Sequence, residues 1–552
     1  MRTPWLARIV GLIIAIGAFS LAALLWWAIN AVLPDSLPSP AEVAGNLDTL
    51  DPAAASSWVG IAVLAGTAVA LALAATLVAA GTEALWDRHI QRTTRTDRTP
   101  LAPTPVLRAT ADGSGGAGRP VTITALIPAH NEQATLAVTL PALLAQSRPP
   151  DRVLVVADNC TDGTEAVAAA HRVTVVRTVD NRERKAGALN QVLADLLPAL
   201  GHNDLILVMD ADTHLDPGFL AVAETCFAAD RALMALGGVF HGEPGHGLLG
   251  MFQRNEFQRY ARTIARRGGR VFVLTGTSTV FRAPSLRTVA EARGTLIPGT
   301  PGRVYDTVAL TEDNELTIAL KSLGATLTSP AGCTVVTELM PTWRALWAQR
   351  MRWQRGAVEN IGAYGVTPAT FRYWSQQMAI GYGVIALGSY LLLMTLLALS
   401  PAPWTWIPFW LAVGAVFAVE RTVTVWPQGV RARLLAVLLI PELLYDMYLN
   451  VVFVVGVAHL TARRRARWGH VEPDRAQGVV PLGAAAAGMG SAPGWVALQT
   501  FVAVNSLVYA ALAIGKLLPK PPTHRLGEVP GLRLRYRGDR AIPLPGRSAP
   551  PS

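Results

Sequence analysis

Several groups of residues in this 552-residue chain have types and spacings that suit chemistry. Asp210-Ala211-Asp212 follows the apolar run LILVM. Two carboxylates one residue apart, at the mouth of a buried strand, can present hard oxygen ligands beside a phosphate, and Mg2+ or Mn2+ suits such ligands. Thr311-Glu312-Asp313 opens the amphipathic stretch ELTIALKSL. All three residue types favour a helix's first turn, by capping and by the helix dipole. The same cap would hold a carboxylate firmly enough for it to act as a general base. Gln349-Arg350-Met351-Arg352-Trp353 is predicted on a helix starting near Pro341. Gln349, Arg352 and Trp353 then share one face at spacings i, i+3 and i+4. An amide, a guanidinium and an indole so arranged can grip a pyrophosphate and stack on a sugar ring. Spacing alone describes equally well an amphipathic helix at a membrane surface with an interfacial Trp.

The elements that must position these groups alternate. Val121–Ile127, Arg152–Ala157, Val173–Arg177 and Asp204–Met209 read as strands. Helices are predicted from about Glu132, over 163–170 and over 185–197. Alternation of this kind predicts an α/β domain whose mostly parallel sheet is covered on both faces. Ligands of such sheets bind at the carboxyl ends of the strands. The polar segments fall there: Pro128-Ala129-His130-Asn131-Glu132 after the first run, Asp158-Asn159-Cys160-Thr161-Asp162-Gly163-Thr164 after the second, and Asp210-Ala211-Asp212 after the fourth.

The rest of the chain is unlike this domain. Half of all residues (51%) are apolar and 16% are charged, against roughly 25% charged in typical soluble domains. The apolar residues gather in long blocks at the two ends. Ile9–Leu33 runs 25 residues, too long for a signal-peptide core, and Trp58–Gly81 follows it. The segment between them carries Asp35, Glu42, Asp48 and Asp51 without Lys or Arg, while arginines flank the pair outside. The positive-inside rule makes 1–98 a transmembrane hairpin with both ends cytosolic. Residues 99–120 read as a flexible linker and 121–360 as the cytosolic domain. Within 361–516, further apolar blocks lie near 378–399, 404–419, 434–460 and 494–516.

Glu442, Asp446 and Asn450 draw one polar stripe down the third of these blocks, which Pro441 interrupts. The stripe suits an interfacial helix or the wall of a polar conduit. Five and six spans both remain open. Glu420 and Arg421 read as an interfacial pair at a helix end. Residues 517–552, rich in Pro, Gly and Arg, read as a disordered tail. The net charge of +10 is carried by arginine, with lysine only at 185, 321, 516 and 520. No nucleic-acid motif accompanies it, so lipid is the expected partner of the basic residues. Cys160, Cys226 and Cys333 have no metal or disulfide spacing.

In order, these motifs resemble the processive, membrane-embedded family-2 glycosyltransferases, such as cellulose, hyaluronan and poly-N-acetylglucosamine synthases. The resemblance covers about 121–360 and implies a GT-A-type, Rossmann-like domain and a UDP-sugar donor. It implies that Asp158 contacts the uridine, although Cys160 stands where the family more often has serine. Lys185 in K-A-G-A-L-N matches a basic donor contact, and Asp210 and Asp212 match the D-x-D pair, with Asp212 the more direct ligand of Mg2+ or Mn2+. Asp313 matches the base that deprotonates the acceptor hydroxyl. Gln349 and Arg352 match the pyrophosphate contacts of Q-x-x-R-W, and Trp353 the acceptor-sugar platform. Thr277, in Thr275-Gly276-Thr277-Ser278 after the run VFVL, falls where the family approaches its acceptor. The implied reaction extends a polysaccharide at the cytosolic membrane face. Transfer of a single sugar to a lipid or glycolipid is the alternative. The implied partners are a nucleotide sugar, a growing glycan or lipid-linked acceptor and the bilayer.

Overall fold

The computed structural model describes residues 10–16, 100–101, 121–399, 408–462 and 492–517. The predicted spans at 9–33 and 58–81, the linker and the tail lie outside these residues, except for the helical stretch 10–16 and short pieces at 100–101 and 517.

Strand β1 (Thr122–Ala129) and its neighbours β2 (Arg152–Ala157) and β4 (Asp204–Met209) are apolar on both faces, as the centre of a sheet covered on both sides requires. Ile123, Ala125, Ile127, Val155 and Leu207 pack into one core layer, and Leu126, Leu154, Val156, Ile206 and Val208 into the other. This is the period-2 alternation of strand side chains. With β3 (Thr174–Arg177), β6 (Leu233–Gly237), β8 (Ser278–Arg282) and β9 (Thr326–Thr328) they form a seven-stranded sheet of order β3-β2-β1-β4-β8-β6-β9. β8 is antiparallel to both of its neighbours, and the remaining pairs are parallel. A second sheet joins β5 (His214–Leu215), β10 (Thr334–Thr337) and β7 (Val239–Gly242). The predicted α/β, mostly parallel architecture is therefore present.

Helices α1 (Gln133–Leu144), α2 (Thr164–Ala170), α3 (Arg184–Leu196) and α4 (Phe219–Ala229) fill the crossovers. They are followed by α5 (Gly247–Arg266), α6 (Ala283–Ala292), α7 (Glu312–Ser322) and α8 (Trp343–Tyr364). Helices then occupy all four C-terminal apolar blocks: α9 (Pro368–Leu399), α10 (Pro408–Thr424), the short α11 (Val430–Val437), α12 (Ile440–Thr461) and α13 (Ala492–Leu517). Among the described residues, Pro368–Thr395 and Ile440–Thr461 are long and apolar enough to cross a membrane. Val10 and Ile14 are buried against Ile318, Ile361, Tyr373 and Phe453, so the start of the first apolar block packs where the α/β domain meets these helices.

Three local expectations are revised. The run VFVL forms no strand: Thr317 Oγ1 accepts from the Leu274 amide at 2.9 Å, and Lys321 Nζ donates to the Val271 and Phe272 carbonyls at 2.8 and 3.1 Å. Side chains thus satisfy the backbone groups that a neighbouring strand would have taken. The block 434–460 is two helices, not one interrupted at Pro441. The chain breaks at Leu439, whose φ of 52° is left-handed, and Pro441 opens the new helix.

The polar stripe on α12 also faces protein. Glu442, 2% exposed, accepts from Asn255 Nδ2 at 2.9 Å and from Arg259 Nη1 and Arg421 Nη1 at 2.8 Å each. Arg421 binds Asp446 as well, while Glu420 lies 3.5 Å from Lys516 Nζ. Glu420 and Arg421 thus reach two other helices and fasten α10 to them, and Glu442 and Asp446 clamp α12 onto α5 and α10.

Candidate active site

Two strand-end loops are locked together first. Asn131 and Asn159 both take left-handed backbone conformations (φ 57° and 51°), which Asn tolerates better than most residues. Asn131 Oδ1 accepts from the Thr161 amide at 2.7 Å, and His130 Nδ1 meets the Asp158 carbonyl at 2.6 Å. Asp162 accepts from the amides of Gln133 (3.1 Å) and Thr164 (3.0 Å), tying down the N-termini of α1 and α2. The loops hold Asp158 at the end of β2, where its Oδ1 accepts from Thr178 Oγ1 and Asn181 Nδ2 at 2.8 Å and from Asn159 Nδ2 at 3.1 Å.

Asp210 follows β4, and its amide donates to the Thr277 carbonyl at 3.0 Å, which brings the T-G-T-S segment to the D-x-D turn. Lys185, one residue into α3, donates from Nζ to Asp210 Oδ1 and to the Gly276 carbonyl at 3.3 Å, with Glu312 Oε1 at 3.6 Å. Burial alone would depress this ammonium, but Asp210 and Glu312 more than offset it, so its pKa is raised and it stays charged. Thr277 Oγ1 donates to Thr275 Oγ1 at 3.0 Å.

Asp313 sits opposite. Its Oδ2 accepts from the Gly276 amide at 3.0 Å and its Oδ1 from the Asn314 amide at 2.7 Å. Burial and the adjacent Glu312 push its pKa up to about 6, against the pull of Lys185 and of those two amides. Asp212 is pushed up to about 7 by burial and by Asp210, with Glu338 and Glu132 adding smaller repulsions. Lys185, Thr275, Gly276, Tyr305, Glu312 and Asp313 line one small cavity. Strand ends, the T-G-T-S segment and the start of α7 therefore converge on a single site holding a charged lysine and two carboxyls of raised pKa.

No group of three or more His, Cys, Asp or Glu is arranged as a metal centre among the described residues. Asp210 and Asp212 are hard oxygen donors two residues apart. Burial and the charge of Asp210 raise the Asp212 carboxyl, and a bound divalent cation would offset both. The two carboxylates thus fit part of the ligand set of a hard divalent cation.

Helix α8 begins, as expected, beyond Pro341, where Thr342 Oγ1 accepts from the Ala345 amide at 3.2 Å. Gln349, Arg352 and Trp353 are partly exposed on it. Arg350, given no role by spacing, is buried: it donates to Glu256 at 2.9 Å and to Gln349 Oε1 at 2.7 Å, and its guanidinium lies 4.2 Å from the Trp353 ring centroid. Arg352 is close enough to Arg184, beside Lys185, to oppose its charge.

Downstream, Gly356, Asn360 and Tyr364 recur every four residues and form the face that meets α7. A Cβ at Gly356 would fall 2.5 Å from Thr311 Oγ1. Asn360 Nδ2 reaches the Thr311 carbonyl (3.1 Å) and Asn314 Oδ1 (3.0 Å), and Tyr364 donates to Glu315 at 2.5 Å. Thr311 does not cap α7 with its side chain as the T-E-D pattern predicts; its Oγ1 instead accepts from Asn360 at 3.1 Å. Motif reading passed over Glu312 and Tyr305, which line the cavity, and Asn360, which braces the start of α7. Only Glu312 carried a signal, as the middle residue of T-E-D.

Residues 120–356 match the family model described as Glycosyltransferase like family 2. The probable glycosyltransferase YdaM of Bacillus subtilis (strain 168) is 29% identical over 248 residues, 42% of this chain and 54% of that protein. The poly-beta-1,6-N-acetyl-D-glucosamine synthase of Staphylococcus aureus (strain COL) is 26% identical over 245 residues, 43% of this chain and 55% of that protein. The chain therefore spans about half the length of these curated relatives. Among solved structures, the mannosyltransferase PcManGT of Pyrobaculum calidifontis, in complex with GDP-Man and Mn2+, aligns with a TM-score of 0.41 at 17% identity. That alignment covers 72% of this chain and all of that one. Glucosyl-3-phosphoglycerate synthase of Mycobacterium tuberculosis, with Mn2+, UDP and phosphoglyceric acid, aligns with a TM-score of 0.31 at 19% identity, over 47% and 82% of the two chains.

Proposed function

We propose that this chain, whose residues 120–356 form a family-2 glycosyltransferase domain, is an inverting transferase. It would use a nucleotide sugar, of the UDP type, to extend a glycan at the cytosolic face of a membrane. The observation that carries this reading is the convergence of Lys185, Asp210 and Asp313 on the Gly276 segment. It sets a fixed cation and a carboxyl of pKa about 6 across one small cavity.

In this reading Asp158 holds the base of the nucleotide, and Lys185, Gln349 and Arg352 hold its diphosphate. Asp313 accepts the proton of the acceptor hydroxyl as that oxygen bonds to the anomeric carbon. The bond from the anomeric carbon to the diphosphate oxygen breaks with its electron pair, and Lys185 and Arg352 neutralise the charge that arrives there. Asp212 and Asp210 would hold Mg2+ or Mn2+, which would add further neutralisation of the departing diphosphate. Trp353 presents a ring face to the acceptor sugar, which Thr277 also contacts. Arg350 lies over the ring, its guanidinium 4.2 Å from the centroid. The domain is anchored by the N-terminal hairpin and the C-terminal helices, with α9 and α12 as spans.

Transfer of one sugar to a lipid or glycolipid would use the same chemistry. The deciding experiment screens UDP-sugars for metal-dependent UDP release by the purified full chain and then sizes the product. A ladder of lengths supports extension, a single addition supports the alternative, and no release with any nucleotide sugar refutes both.

A further inference from the structure

At the start of α5, where this helix meets the connection between α10 and α11, lies a cavity of about 290 Å³. Gly245, Gly247, Arg254, Asn255, Gln428 and Arg431 line it. Its floor is polar and incomplete. Asn255 is fully buried and donates from Nδ2 to Glu442, but its Oδ1 has no partner among the described residues. An orphaned buried acceptor is costly unless something donates to it.

The walls are cationic. Arg254 is held by Nη1 bonds of 2.9 Å to the Glu243 and Gly245 carbonyls, and Arg431 is exposed at the rim. Residues 245–247 all have positive φ (112°, 53° and 50°), and α5 starts there with no acidic residue in its first turn and no side-chain cap. The helix's positive end is therefore directed at the cavity.

The rim is apolar. Trp426, Val430, Leu434, Val437 and Leu438 are 51–66% exposed. The opposite face of α11, at Ala432, Leu435 and Ala436, is buried, and Leu435 packs with Leu249, Phe252 and Tyr445. A short helix with an exposed apolar face beside Arg431 and Arg433, leading into the span-length α12, is placed to lie in the interfacial layer of a bilayer. We propose that this cavity binds the headgroup of an anionic phospholipid carrying a free hydroxyl, such as phosphatidylglycerol. The phosphate sits between Arg254, Arg431 and the start of α5, the hydroxyl donates to Asn255 Oδ1, and the acyl chains run along the exposed face of α11.

The inference rests on the membrane association proposed above but not on the chemistry, because binding is read without turnover and UDP release is tested separately. The full chain in maltoside micelles is titrated with dihexanoyl phosphatidylglycerol, dihexanoyl phosphatidylcholine and glycerol 1-phosphate. Saturable binding is expected for phosphatidylglycerol, and much weaker binding for the other two. Arg431→Gln should weaken it about tenfold, Arg431→Glu further, and Arg431→Lys only slightly. Equal binding of the two lipids, or unchanged phosphatidylglycerol affinity in Arg431→Gln and Arg431→Glu, overturns the proposal. Glycerol 1-phosphate binding as tightly as the lipid would make the ligand a soluble phosphate and overturn the lipid assignment.

Discussion

Arg293 and Glu315 face each other through two parallel N–H···O bonds of 2.8 Å, and neither side chain has any exposure to solvent. Arg293 also donates to the Val304 and Pro298 carbonyls, and Glu315 accepts from Tyr364, so every partner of the pair is satisfied. Glu315 stands two residues beyond Asp313, so this pair roots the helix from which the proposed base projects. Glu315→Ala would strand a buried guanidinium and should cost roughly 3–5 kcal/mol. Replacing both partners by Met and Leu should cost less, and thermal unfolding of the three purified proteins measures the difference.

Asp313 should destabilise the fold at neutral pH. Its folded value of about 6 lies above the unfolded value of 3.8. Its contribution is therefore fully present below the unfolded value and lost as pH rises through about 6. Asp313→Asn should raise the unfolding temperature at pH 8 and leave it nearly unchanged at pH 4. Turnover should fall by about 10²–10⁴-fold, with nucleotide-sugar affinity preserved. A parallel loss of donor binding would assign Asp313 a purely structural place.

Glu312 raises Asp313 by charge repulsion, so Glu312→Gln should move the acidic limb of the kcat/KM–pH profile below about 6. Lys185 loses a neighbour at 3.6 Å in the same variant. Donor affinity is therefore measured separately, and the position of the limb is the test. An unmoved limb would mean that another group controls it.

Asp212→Ala should abolish activity with Mg2+ or Mn2+, and excess chelator should do the same to the unaltered protein. Full activity in chelator would overturn the metal assignment of the D-x-D pair.

Trp353→Ala should leave hydrolysis of the donor by water largely intact while shortening the product, and Trp353→Phe should retain part of the length by keeping a smaller ring face. Product length per folded enzyme is the measurement. An unchanged distribution would leave the Trp as a partner of Arg350 alone.

The α/β core was legible because its strands are short, apolar and separated by turn residues. Arg152–Ala157 and Asp204–Met209 were bounded to the residue. The order of the polar segments at the strand ends was legible for the same reason. Features set by distant partners were not. VFVL has strand composition, yet Lys321 and Thr317 take up its backbone groups from another helix. The 442/446 stripe had the right period but no visible partner, since Asn255, Arg259 and Arg421 lie far away in sequence. Arg350 sits inside a recognised motif, but its burial against Glu256 depends on α5.

Helix α8 carries Gln349, Arg352 and Trp353 on its first half and, on its second, the Gly356–Asn360–Tyr364 face that grips the root of the Asp313 helix. The residues proposed to grip the donor therefore share a helix with the face that braces the start of α7, where the proposed base stands. If engaging the diphosphate alters how that helix bears on α7, the acceptor must meet a base whose poise depends on whether the donor is in place. Reciprocity then requires the acceptor to change donor affinity by the same factor. Such an enzyme would keep its proton acceptor out of register until both substrates are seated, which guards an activated sugar against being spent on water.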